Sequence, residues 1–297
     1  MTDTLETFAD QLLTFTLPER HVRGRLVRLD GVLHTILSAH DYPEPIRKLL
    51  AEALVLATLS GGLLKGDDSQ VTIQAQTDDG IVQLLACDYR GGELRGYVQF
   101  DADRLAEIGD DTSLETLFGK GFLAVTFDLP ASDQRYQGIV PLEGNSITAA
   151  FESYFAQSEQ IPTLIRVHVD GSANHPVAAG ILVQHLAEGE EGRERLHVRM
   201  DHPEWEHVAI ITDTTQADEL LDRTLSLETM LWRLFHEEEE IRVSPGDRIS
   251  RGCRCTMVHF ENVLARFPSE ERAQMRNDDG IIMVDCAFCS RLFPIQD

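Results

Sequence analysis

The sequence lacks the short motifs that mark nucleotide-driven machines and common hydrolases. LKGD and FGKG do not have the G-x-x-x-x-G-K-[ST] spacing of a phosphate loop, and neither G-x-S-x-G nor H-E-x-x-H occurs. Work done by this chain is therefore expected to run without ATP, and the chain is read as a non-enzyme with no catalytic residue assigned. It is also short of positive charge. Against 50 acidic side chains stand 26 Lys and Arg, a net charge of −24. Such a balance repels nucleic acid and anionic membrane and favours solubility. The first residues, MTDTLETFADQLLTF, have no basic start followed by an apolar core, so no signal peptide is expected. The longest apolar run, residues 49–64, is broken by Glu52, Gly61 and Gly62, too short and interrupted for a membrane span. A cytoplasmic location follows as the default expectation.

Periodicity divides what is present into three parts. Strand-like alternation in residues 20–30 is followed by a helix pattern over 42–64, which starts after Pro45 and stops at Gly61 and Gly62. Further strands are expected over 69–100, around TDDG and YRGGE turns, and in 121–130 and 134–144. A short helix is read in SLETLFGK and another in 146–160, and PTLIRVHVDG with HPVAAGILVQHLA reads as two strands or a strand and a helix. Strands and helices cluster without a βαβ rhythm, which gives an α+β class. Residues 1–187 are assigned to an N-terminal mixed sheet-and-helix domain.

The character changes at residue 188, where a polar, turn-rich stretch suggests a connector. Residues 188–245 are read as a helical linker. Thr215 to Asp218 resembles a capping box, and SLETMLWRLF (226–235) places Leu227, Met230, Leu231, Leu234 and Phe235 on one apolar stripe. The HEEEE that follows sets four glutamates at the negative end of that helix. Two readings stay open: a solvated charge run, or a metastable helix held only by the docking of its stripe. SPGDRIS (244–250) is read as a turn leading into residues 246–297, a small C-terminal zinc-binding module.

Cysteine is scarce, and its placement is uneven. Of five, four form two close pairs, Cys253-Arg-Cys255 and Cys286-Ala-Phe-Cys289. Two thiolate pairs on separate turns supply the four ligands of a tetrahedral zinc ion. Helices in TMVHFENVLARF and after Ser269, and strands in GIIMVD and SRLFPI, would fill the module. At roughly 50 residues it is near the size at which a core alone rarely suffices, and a structural zinc supplies on the order of 10–16 kcal/mol. Neighbours at these spacings also lie within disulfide reach, and Arg251 and Arg254 add charge that favours thiolate. An inert zinc ribbon and a pair of redox dithiols both remain open at this point. His259-Phe-Glu261 followed by Cys286-x-x-Cys289 has part of a zinc-deaminase signature, but Asp285 replaces its proline and Cys253 and Cys255 would have no role. His259 is read as a helix-surface residue, and Cys87, on an apolar strand pattern, as a buried inert thiol.

A C-x-C…C-x-x-C tail after an α+β domain and helical connector resembles the 33-kilodalton heat-shock chaperone family, the redox-regulated holdases of bacteria. PLEGNSITAAFESYFAQSEQIPT (141–163) is similar to that family's P-L-x-G…Y-[FL]-x-x-S-E-Q-x-P-T segment, and the mass of 33.3 kDa agrees. The resemblance implies one zinc ion on Cys253, Cys255, Cys286 and Cys289 in the reduced, inactive state. It implies disulfides Cys253–Cys255 and Cys286–Cys289 on oxidation, loss of zinc, unfolding of module and linker, a homodimer, and capture of unfolding client proteins. Arg254 departs from the polar or acidic residue expected in relatives. The rivals are a static zinc-ribbon interaction protein and a thiol-disulfide oxidoreductase using Cys286 and Cys289.

Overall fold

The computed structural model describes residues 8–186 and 202–296. In chain order, β1 (Gln11–Leu17), β2 (Val22–Leu29), α1 (Gly31–Leu37) and α2 (Glu44–Gly61) lead into the meander β3 (Gln70–Gln76), β4 (Val82–Arg90) and β5 (Glu93–Phe100). Then come α3 (Ala102–Glu107), α4 (Leu114–Phe118), β6 (Phe122–Leu129), β7 (Gln134–Pro141), α5 (Ile147–Tyr154), β8 (Thr163–Asp170) and β9 (Val177–His185). After the undescribed stretch follow α6 (Pro203–Asp213), α7 (Ala217–Leu221), α8 (Leu227–Phe235), β10 (Arg242–Arg248) and β11 (Ser250–Arg251). The chain ends with α9 (Met257–Leu264), α10 (Ser269–Gln274), β12 (Ile281–Asp285) and β13 (Leu292–Gln296). The α+β class stands.

Two sheets hold the molecule. One has the order β10-β1-β2-β9-β8 and the other β11-β5-β4-β3-β6-β7, while β12 and β13 form a separate hairpin. Between the two large sheets runs α2, whose residues Ala53–Gly61 are continuously buried. A helix buried on every side needs no amphipathic stripe, which is why its sequence reads as one apolar run. It stops where Gly61 meets the Tyr89 ring, since a Cβ there would lie 2.0 Å from a ring carbon. Of SYFAQSEQ, in the segment carrying the resemblance, Tyr154 and Phe155 are buried in this core while Ala156, Gln157, Ser158 and Gln160 are exposed.

Strand alternation sends side chains of the first sheet to both faces. Leu12, Val27 and Leu29 face α2. Leu13, Phe15, Leu17, Val22, Leu26, Ala179, Ile181 and Val183 form an apolar outer face, and α6, α7 and α8 lie upon it. Leu227, Met230, Leu231 and Phe235 are buried there and Leu234 is half-buried, so the expected stripe is docked on this sheet. Arg28 is wholly buried and fastens the layer, donating to the carbonyls of Leu220 (2.7 Å) and Leu225 (2.6 Å).

Several local expectations change. SPGDRIS is not a turn: β10 spans Arg242–Arg248 and adds to β1 as an edge strand, where Pro245 is tolerated because a bulge interrupts the ladder beside it. The strand runs through position 245, where the sequence suggested a division. Thr215 does not cap α7; Gln216 flanks it without a side-chain bond. Residues 188–201 of the expected connector lie outside the described residues, but Pro203–Asp213 is helical, with Pro203 at its first turn and His202 accepting from the Glu204 N–H. HPVAAGILVQHLA supplies a strand, β9, buried throughout. The glutamates after α8 are not all solvated: Glu238, with its side chain 4% exposed, accepts from Arg20 Nε at 2.8 Å and meets His207 at 2.9 Å. Arg20 also pairs with Glu204 in the first turn of α6.

Candidate metal centre

Between β11 and α9 the chain has no regular structure; Cys253 and Cys255 turn to the sulfur cluster while Arg254 reaches Gln70 on the sheet. The second pair sits on a tight turn between β12 and β13. There the N–H groups of Cys289 and Ser290 donate to the Cys286 carbonyl (3.1 and 2.8 Å), and Ser290 takes a left-handed φ of 55°. The turns converge. Cys253 Sγ lies 3.3 Å from Cys255 Sγ and 3.5 Å from Cys286 Sγ, and Cys255 Sγ lies 3.5 Å from Cys289 Sγ. All four sulfurs fall within 4.8 Å of one another.

These distances fit a single ion. Zinc–sulfur bonds of about 2.3 Å require tetrahedron edges of about 3.8 Å, and the sulfur set straddles that value. Burial and the neighbouring thiols raise the Cys286 thiol, against which the N–H groups of Phe288 and Cys289 act in the lowering direction. Burial and the neighbouring thiols push Cys255 well up. Burial acts in the same direction on Cys289, but the Arg291 N–H and the other three thiols bring it down to about 7. The four cysteines could hold one metal ion, and they are the only such cluster among the described residues.

The apolar support is small. Leu264, Ile282, Phe293 and Ile295 are the buried apolar side chains around Cys286, with Phe260, Val284 and Phe288 packed at their edge. His259 is exposed and apart from the sulfur cluster, so the deaminase-like pattern assembles no site. Cys87 faces the α2 core on β4, fully buried, and burial holds its thiol well up.

The module rests on the outer face of the second sheet. Parallel β11 pairs with β5, and Gly252 N–H donates to Leu94 O at 2.9 Å. The approach needs glycine, since a Cβ on Gly252 would lie 2.3 Å from Glu93 Cβ. Arg254 donates to Gln70 Oε1 at 2.6 Å and lies 3.8 Å from the Asp88 carboxylate. Its charge is thus directed at the sheet, not left in solvent or free to act on the thiols. Phe288 packs edge-on against Tyr97, ring centroids 4.8 Å apart, under the Arg95 guanidinium at 4.1 Å. His40 donates to Ala287 O at 2.9 Å and accepts from Ser290 Oγ at 3.1 Å. None of Gln70, Asp88, Arg95, Tyr97 or His40 carries a local sequence signal; they are joined to the cysteines only by tertiary structure.

Comparison with known proteins places this arrangement. A family model described as "Hsp33 protein" matches residues 10–296. The chain belongs to the Hsp33 family. A 33 kDa chaperonin of Caulobacter vibrioides is 38% identical over 295 residues, covering 97% of this chain and 95% of that one. A 33 kDa chaperonin of Shigella boydii is 33% identical over 290 residues, with 97% and 93% covered. The crystal structure of a 33 kDa chaperonin (heat shock protein 33 homolog) from Thermotoga maritima superposes with a TM-score of 0.77 at 22% identity, covering 97% of this chain and 95% of that chain. At that identity the likeness concerns the fold alone. Among the described residues no helix is long and apolar enough to cross a membrane.

Proposed function

We propose that this chain is a redox-regulated, ATP-independent chaperone of the bacterial cytoplasm, a holdase that binds unfolding proteins once its cysteines are oxidised. The observation that carries the reading is the convergence of four sulfurs within 4.8 Å in a module with few buried apolar side chains. When bound, zinc would supply the cross-link between the two turns that so small a core cannot provide.

Cys253, Cys255, Cys286 and Cys289 are the proposed ligands and also the proposed sensors. A peroxide converts two thiols into one disulfide: each sulfur gives up a proton, the S–S bond forms, and the O–O bond is reduced to two waters. Distance alone does not choose partners, because Cys253 Sγ lies 3.3 Å from Cys255 Sγ and 3.5 Å from Cys286 Sγ. The mechanical consequences of the two pairings differ. A Cys253–Cys286 bond would staple the module, closing a loop worth roughly 4 kcal/mol of denatured-state entropy. Bonds Cys253–Cys255 and Cys286–Cys289 close almost no loop and leave the chain free to unfold. Neighbour pairing is therefore the pairing that turns oxidation into disorder.

Loss of the module removes the start of β11 from β5 and loosens β10, which leads back to α8. The α6–α8 layer then no longer has both ends fixed. Beneath it lies the apolar face of Leu13, Phe15, Leu26, Ile181 and Val183, and each large side chain uncovered is worth roughly 1.5–3 kcal/mol to a client that re-covers it. Two activated chains would associate through the same kind of surface. The test compares reduced, zinc-loaded chain with peroxide-oxidised chain on a thermally unfolding client. Suppression of light scattering by the oxidised form alone is expected; equal suppression by both removes the switch.

A further inference from the structure

We infer that Asp88 and Arg254 form the coupling point by which the core sheet stabilises the cysteine cluster, so that metal retention depends on a carboxylate outside the module. The inference rests on the metal-binding reading above.

Asp88 is 5% exposed on the outer face of β4 and holds its neighbours together. Thr72 donates to it at 2.7 Å, and Arg95 Nε does so at 2.7 Å. Arg254 closes on it from the cysteine module at 3.8 Å while bonding Gln70. Arg95, fixed by Asp88, in turn lies over Phe288, one of the two residues between the second pair of cysteines. One carboxylate therefore meets the first thiol turn directly through Arg254 and the second through Arg95 and Phe288. These two side chains are the ones whose directions the sulfur cluster dictates. Arg254 faces the sheet because Cys253 and Cys255 face the cluster, and Phe288 sits on the rim of the knuckle whose ends are Cys286 and Cys289.

Linkage makes the consequence reciprocal. Gathering the four sulfurs sets Arg254 and Phe288 for docking, so docking must favour the gathered sulfurs by the same factor. Arg254 acts here as a positioning residue. Its guanidinium donates to Gln70 and stands in ion-pair range of the Asp88 carboxylate.

The experiment measures transfer of zinc from the full reduced chain to a chromophoric chelator, with amide exchange at Gly252 as a second readout. Variants are Arg254→Ala, Asp88→Asn and the double variant, with Arg135→Ala as control, since Arg135 pairs with Asp128 at the edge of the sheet opposite β11. Each single change is expected to speed transfer about tenfold, within the usual range of coupling between sites. The double variant should be no faster than either single, and Arg254→Lys should restore part of the loss. Gly252 exchange should rise in step, and the control should match the parent chain. Multiplicative effects in the double variant overturn the coupling, because they show the two residues acting separately. So does transfer at the parental rate in Asp88→Asn, which would leave Arg254 as a local charge beside the thiolates. A parent chain with no bound zinc overturns both this inference and the metal reading; a zinc-loaded parent with unaffected variants overturns this inference alone.

Discussion

Replacing Phe235 with alanine removes a fully buried ring from the seam between α8 and the first sheet, where it lies 5.8 Å from the Phe15 ring. Burial of this kind costs about 3–5 kcal/mol to delete, from lost transfer energy and the cavity left behind. If α6–α8 opens as a unit separate from the core, the whole cost falls on that local equilibrium. Even the lower figure raises the open population at least about 100-fold, at tenfold per 1.4 kcal/mol. Amide exchange on the reduced chain measures this directly. The Met230 amide, bonded to Ser226 O in α8, should exchange faster by that factor, while amides of α2 keep the parental rate. Leu234→Ala, at a half-buried position, should act in the same direction by less than about 1.5 kcal/mol. The reduced Phe235→Ala chain should also hold a client without oxidation. Equal acceleration in α8 and α2 would refute the reasoning, since the layer would then open only with the whole domain.

Other outcomes follow from the same contacts. Arg28→Met keeps the aliphatic stem but strips the donors from Leu220 O and Leu225 O; an early, separate loss of the α7–α8 layer in urea is expected, at about 2–4 kcal/mol. The Arg20 guanidinium holds the Glu204 carboxyl below its ordinary value of 4.5, so this contact contributes fully above that pH and is lost as pH falls through the depressed pKa. Acid titration followed by fluorescence of the buried Trp205 should show that loss, and Glu204→Gln should abolish its pH dependence. A strong zinc chelator applied to reduced chain should remove exchange protection from β12 and β13 while leaving β3, β4 and β6 intact. Retained protection in β12 and β13 would mean that the module folds on its own apolar core.

What the sequence made legible was local. The α2 run, the strands β2 through β7, the apolar stripe of α8 and the two cysteine turns each declare themselves within a few residues. Strand β10 did not, because Val243-Ser-Pro-Gly246 has turn chemistry and only an edge position next to a bulge makes it a strand. Helix α6 was hidden in a charged stretch, although Pro203 with Glu204 and Glu206 in its first turn is a usable start signal. The remaining contacts join residues far apart in the chain. Glu238 looks like any glutamate of HEEEE until Arg20 and His207 reach it. Arg254 looks like a charge beside thiols until β4 presents Asp88. Pairings of that range are decided by topology, which a single sequence leaves open.

The central claim is that electron loss at four sulfurs removes the metal that orders the tail. It is met most directly by counting bound zinc and free thiols on the same sample through a peroxide titration, with disulfides mapped at the end. The account predicts one zinc released as Cys253–Cys255 and Cys286–Cys289 form, leaving Cys87 reduced. Zinc retained after those thiols are consumed, or cross-links joining Cys253 to Cys286 in a tail that stays compact, would contradict it.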